Sequence, residues 1–256
     1  MYYSVNNINL FVKDEGKGEP FLIFLHFWGG SSSTWNGVTS ILKDKFRCVS
    51  YDHHGWGKSD KPESGYSISE LAKDTLVLIN KLGLQNYVLV GHSMGGKIAQ
   101  HIAAQKHAGL QKLILVAPSP AVPTVMPKEM HEGMINAYTS LEGINATIDH
   151  VFKAADLSPE IRAQVVNDIQ SNNESSRLGW PTLALLEDVS EGVSDINVPT
   201  LIIAGENDIV DSPERLEQEV RSKIPGARMV VIPGAGHLLM LQQPAKVAGY
   251  IDSFLQ

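Results

Sequence analysis

The 256-residue chain carries 21 lysines and arginines against 28 aspartates and glutamates, a net charge of −7, and 43% of its residues are hydrophobic. That is the composition of an ordinary globular protein with enough apolar material for a sizeable core. With a pI near 5.7 and no basic stripe, nucleic acid and anionic membrane surfaces are poor candidate partners, and a small neutral or cationic ligand fits better.

Met1 to Asn7 has neither the cationic start nor the apolar stretch of a secretory signal, so a cytoplasmic location is expected. Tyr2 to Val5 and Ile8 to Lys13 flank Asn6-Asn7 and predict an antiparallel hairpin. Short β-rich runs follow at Phe21 to Phe27, Phe46 to Asp52, Tyr87 to Gly91, Leu113 to Ala117, Thr200 to Gly205 and Met229 to Pro233. Each is bounded by Gly, Pro or Asp and alternates with an amphipathic stretch, the pattern of a parallel sheet covered on both faces. The longest apolar runs, Phe21 to Leu25 and Leu113 to Ala117, are far shorter than the roughly 20 residues that span a bilayer. Cys48, the single cysteine, excludes an intramolecular disulfide and a Cys-based metal cage, and reads as a buried strand residue.

Ser67-Ile68-Ser69-Glu70 forms a capping box, after which Ile68, Leu71, Ala72, Thr75, Ile79 and Leu82 recur on one helical face. Ser212-Pro213 and Gln243-Pro244 open two further helices, the second running from Ala245 to Phe254. Between Pro118 and Thr200 about 80 residues show only helical windows, at Lys128 to Ser140, Gly143 to Ala155, Pro159 to Ser171 and Trp180 to Val189. Residues 119–196 are therefore expected to form a helical cap that sets specificity over one end of a core made of residues 1–118 and 197–256.

Gly91-His92-Ser93-Met94-Gly95 matches G-x-S-x-G between the strand Tyr87 to Val90 and a helix predicted from Gly95 to His107. Small residues flank the serine because a sharp strand-to-helix turn leaves no room for side chains and lifts the hydroxyl off the sheet edge. A serine hydroxyl needs a base that is itself oriented by an acid. Gly205-Glu206-Asn207-Asp208 and Gly234-Ala235-Gly236-His237 each follow a predicted strand, where doubly wound folds place their ligands. Taken singly, Asp208 is a turn residue and His237 a surface loop residue; with Ser93 in the order Ser, acid, His they form a catalytic set. Glu206, the competing acid, is expected to point away.

On these residues the sequence resembles the α/β-hydrolase superfamily over essentially its whole length. The family's His-Gly-x turn appears as His26-Phe27-Trp28-Gly29-Gly30, and its YD followed by R-G-x-G-x-S-D as Tyr51-Asp52-His53-His54-Gly55-Trp56-Gly57-Lys58-Ser59-Asp60. The resemblance, strongest to lidded bacterial esterases and cofactor-free haloperoxidase or perhydrolase relatives, implies a mostly parallel eight-stranded sheet with helices on both faces. It further implies that Trp28 and Met94 supply oxyanion N–H groups. Phe27 departs from the usual glycine and narrows that side of the pocket, and His54 replaces the usual arginine. Because dehalogenases and epoxide hydrolases of this fold attack with aspartate, Ser93 argues against both.

The reading is a serine hydrolase of small-molecule carboxylic esters or lactones, working through an acyl-enzyme with no cofactor and no metal, as a monomer or homodimer. Phe27, His92, Met126, Met130, Trp180 and Leu238 are expected to line the substrate pocket, although the Met126, Met130, Met134 spacing is also that of an ordinary apolar helical face. A C–C hydrolase or perhydrolase using the same residues, and a ligand receptor with vestigial turnover, are the alternatives. His53 and His54 are adjacent and make a poor metal pair, with solvent exposure or loop hydrogen bonding expected. His101 and His107 fall on different helical faces. His26 and His92 lie beside the site as loop-orienting or pocket residues.

Overall fold

A computed structural model describes residues 1–256. The predicted hairpin forms as β1 (Tyr2–Val5) and β2 (Ile8–Glu15), paired antiparallel, with Asn6 and Asn7 both at positive φ as a two-residue hairpin turn demands. β3 (Phe21–Leu25), β4 (Cys48–Tyr51), β5 (Tyr87–Ser93), β6 (Leu110–Pro118), β7 (Thr200–Gly205) and β8 (Arg228–Ile232) pair in parallel. Together the strands make an eight-stranded sheet in the order β1-β2-β4-β3-β5-β6-β7-β8, with β2 antiparallel to β4. The central strands are buried on both faces, which is why they read as unbroken apolar runs.

α1 (Asn36–Leu42) follows the turn after β3, and α2 (Ile68–Lys81) starts at Ser67, whose side chain accepts from Glu70 N–H in the predicted capping box. α3 (Met94–Ala104) leaves β5 directly and is one turn shorter than expected. Two hydrophobic clusters fill the space on either side of the sheet, one of 49 and one of 22 buried residues. Cys48 lies in the smaller at 2% exposure, and burial pushes its thiol up to about 12.

The only regular structure between β6 and β7 is helical: α4 (Lys128–Asn136), α5 (Leu141–Ala146) running into a π-turn at Thr147–Val151, α6 (Pro159–Gln170), α7 (Glu174–Thr182) and short 3-10 turns. The helical window at Trp180 to Val189 is incorrect. The helix there begins earlier because Asn173 accepts from Ser176 N–H in a capping box, and it ends just past Pro181. The methionine series is no continuous face either: Met126 precedes α4, a helix without one buried residue, and Met130 is 62% exposed. α8 (Pro213–Glu219) starts at Ser212 as predicted, and α9 (Leu239–Gln242) and α10 (Pro244–Leu255) close the chain. None of these helices is long and apolar enough to cross a membrane.

Candidate active site

Ser93 ends β5 and caps α3 with φ 51° and ψ −114°, a conformation that costs a side-chain-bearing residue about 1–3 kcal/mol. The two flanking glycines make this geometry possible: a Cβ on Gly91 would strike the Gly95 backbone, and one on Gly95 the backbone of Leu25. The turn sets the Ser93 hydroxyl at the positive end of α3.

His237 sits in the loop after β8, its N–H donating to the Phe152 carbonyl at 2.8 Å. Its Nδ1–H donates to Asp208 Oδ2 at 2.8 Å in a fully buried pair. Asp208 Oδ1 accepts Val210 N–H at 2.8 Å and Asp211 N–H at 3.1 Å, so both carboxylate oxygens are occupied. With Nδ1 committed, Nε2 is the ring nitrogen free to exchange a proton. Burial alone lowers the imidazole pKa, but the charge and hydrogen bond of Asp208 and the charge of Asp211 outweigh it and hold His237 above its ordinary value. Asp211 is itself pushed up to about 7 by burial, against the opposing charges of His237 and Arg215. Glu206, the competing acid, accepts Gly234 N–H at 2.8 Å, and it is Asp208 that bonds His237.

His92 fastens the His237 loop to the Ser93 turn: its Nε2 faces the His237 carbonyl at 2.9 Å, and a carbonyl only accepts, so Nε2 carries the proton. The two rings lie 4.8 Å apart, and burial drives the His92 pKa well down, keeping the ring neutral. His26 is fixed in the opposite tautomer, donating Nδ1–H to Phe27 O at 2.7 Å and accepting His53 N–H on Nε2 at 3.0 Å; burial lowers it to about 4. Both orient loops.

Trp28 N–H takes no backbone acceptor in the turn after β3, and Met94 N–H opens α3, where first-turn donors are unpaired. Asp52 braces that turn by accepting Ser32 N–H at 2.6 Å and Lys58 N–H at 2.7 Å. The Trp28 indole stacks on Tyr138 at 4.0 Å and donates to Arg177 O at 3.1 Å, while Tyr138 donates its hydroxyl to Trp28 O at 3.1 Å. Phe27 is buried edge-on between His92 at 5.2 Å and Phe152 at 5.9 Å. The helical insertion thus contacts both predicted halves of the site, through Tyr138 on Trp28 and through Phe152, whose ring lies 5.4 Å from that of His237.

The adjacent histidines are not solvent-facing. His53 is buried with neither ring nitrogen bonded, and His54 is buried between Asp74, 2.6 Å from Nδ1, and the Gly65 carbonyl, 2.8 Å from Nε2. Trp180 and Leu238 are buried and Met126 partly so. A surface depression of about 880 Å³ contains Asp208 but neither Ser93 nor His237, and acidic side chains including Glu206 and Glu214 line it. No group of three His, Cys, Asp or Glu residues is arranged to hold a metal ion. Sequence reasoning missed Tyr138 and Phe152, which carry no motif. It also missed Asp211 and Arg215, whose i,i+4 spacing with Glu219 was a readable signal of a salt-bridged helix start.

The strained serine turn, the buried Asp-His pair and the sheet order define a class, and the chain belongs to the alpha/beta hydrolase family, whose family model matches residues 22–249. It is 30% identical to the AB hydrolase superfamily protein YisY of Bacillus subtilis over 97% of this chain and 96% of that one. Among solved structures it resembles an esterase from Exiguobacterium antarcticum, with TM-score 0.90, 25% identity and coverage of 99% and 98%. It is also similar to Est816, described as an N-acyl homoserine lactone degrading enzyme, with TM-score 0.87, 25% identity and coverage of 99% and 100%.

Proposed function

We propose that this protein is a serine hydrolase that cleaves carboxylic esters or lactones of small molecules through an acyl-enzyme. The observation that carries the proposal is the buried His237 to Asp208 bond, joined through the His92 Nε2–H to His237 carbonyl bond to the turn that holds Ser93 at positive φ. In this reading Ser93 Oγ attacks the substrate carbonyl while His237 Nε2 takes its proton. Asp208 holds the tautomer and stabilises the imidazolium. The oxyanion accepts from Trp28 N–H and Met94 N–H; the imidazolium then protonates the departing alcohol, and water repeats the sequence on the acyl-enzyme. The similarity to an esterase and to a lactone-degrading enzyme favours this substrate class.

The test is a panel of p-nitrophenyl esters and γ- and δ-lactones, with a fluorophosphonate as probe of Ser93. Multiple turnovers in the parent and a loss of at least about 10³-fold in Ser93→Ala are expected. Ser93→Ala retaining activity within tenfold of the parent would refute the mechanism.

A further inference from the structure

The helical insertion leaves the core at the end of β6 and returns through residues 184–199, and its two legs are stitched together by Thr124 N–H to Leu185 O at 3.1 Å and Val189 N–H to Ala121 O at 2.9 Å. Two cations reach this stitch from the core. Lys97, on α3 directly behind Ser93, is 0% exposed, forms no ion pair, and donates Nζ to Val122 O at 3.3 Å and Leu185 O at 3.1 Å, one carbonyl from each leg. Arg215, on α8 behind the Asp208 loop, donates Nη2 to Thr124 Oγ1 at 2.8 Å and Nη1 to Val210 O at 3.3 Å and Asp211 Oδ1 at 3.1 Å.

A buried ammonium is costly, and Lys97 carries one into α3, a helix buried over most of its length. What it gains there is contact with both legs at once. Desolvation lowers its pKa to about 8, with Glu187, Asp188 and Asp211 as the opposing charges and Arg215 as the like charge. Ser93 is 8% and His237 1% exposed, and Tyr138 and Phe152 of the insertion pack on Trp28 and His237.

We infer that Lys97 and Arg215 are positioning residues that clamp the hinge of the insertion, each from the helix that follows one of the proposed catalytic residues in the chain, and so set which acyl groups reach Ser93. The inference rests on the hydrolase reading for its substrate effect, whereas the clamp itself is a property of the free protein. Lys97→Met keeps volume and removes the donor, leaving Val122 O without a partner; Leu185 O keeps Thr124 N–H. Thr124→Val removes the acceptor of Arg215, and Thr124→Ser preserves it.

Hydrogen–deuterium exchange on the free proteins reads the clamp. Peptides covering 121–127 and 183–190 are expected to exchange about tenfold faster in Lys97→Met and several-fold faster in Thr124→Val, with Thr124→Ser and the β5 peptide like the parent. Steady-state kinetics read the consequence. In Lys97→Met the kcat/KM ratio of p-nitrophenyl hexanoate to acetate should change by at least about fivefold, carried by KM, with kcat for acetate within about threefold. Parent-like exchange in both hinge peptides overturns the clamp, as does Thr124→Ser behaving like Thr124→Val. An unchanged ester ratio despite faster exchange overturns the selectivity role. If Lys97→Met does not fold, the two Thr124 variants decide. If the parent turns over no ester, the hydrolase reading fails and the exchange result still judges the clamp.

Discussion

Replacing Asp208 with asparagine changes one atom and, by the hydrogen-bond inventory, reverses a tautomer. Asp208 Oδ1 faces two backbone donors, Val210 N–H and Asp211 N–H, so in Asp208→Asn the amide oxygen must take that position. The amide NH₂ then points at His237 Nδ1, 2.8 Å from the present Oδ2, and Nδ1 must accept instead of donate. The proton moves to Nε2, the atom that receives the Ser93 proton in the proposed mechanism, and the imidazolium loses its counter-charge. The expected loss is about 10⁴-fold in kcat, the scale of a wrong-tautomer base, equivalent to about 5.5 kcal/mol of barrier. The assay is initial rate on p-nitrophenyl acetate at pH 8, with fluorophosphonate labelling of Ser93 and circular dichroism to establish folding. A folded Asp208→Asn variant within tenfold of the parent would show that Asp208 does not orient the base, and the neighbouring Asp211 would become the acid to test.

Three further outcomes follow from the same geometry. Ser93→Gly and Ser93→Ala should both be inactive, but the glycine variant should melt about 2–4 °C higher, because glycine accepts φ 51° and recovers roughly 1 kcal/mol of backbone strain; equal melting temperatures would argue against the strain. Because His237 must be unprotonated to act as base and its pKa is raised, kcat/KM should fall on the acid side with a midpoint above 6.5, and Asp211→Asn should move that midpoint down; an unmoved or raised midpoint would exclude Asp211 as a source of the shift. Cys48, buried with its thiol pushed up to about 12, should react with a thiol reagent such as DTNB only after unfolding in guanidinium, and rapid native labelling would contradict its placement.

Local rules carry the sequence reading a long way. The hairpin at Asn6-Asn7, the capping box at Ser67 and the glycine-flanked turn at Ser93 are each decided by neighbours within a few residues, and the structure has them where the sequence places them. The window at Trp180 to Val189 fails because apolar periodicity there outweighs a capping box at Asn173, although polar residues at a helix start are the more local signal. His53 and His54 read as loop or surface residues because their burial depends on partners distant in sequence, Asp74 and Gly65 for His54 and the His26 ring, 4.5 Å away, for His53. Tyr138 on Trp28, Phe152 on His237 and Lys97 in the hinge are likewise contacts between separate elements, and no residue spacing announces them.

The candidate site also dates the end of folding. Ser93, Asp208 and His237 are carried by the ends of β5, β7 and β8, and the bridge from His92 to the His237 carbonyl joins positions 145 apart in sequence. Nothing local prefigures that arrangement, and contacts of such separation form late, after the sheet has offset the entropy of loop closure. On that order of events the turn after β5 is expected to form with the central strands, and docking of β8 to bring the His237 imidazole into place last. Reactivity of Ser93 toward an acylating probe is consequently a clock for the final step of assembly, and it should lag behind the recovery of helical signal on refolding.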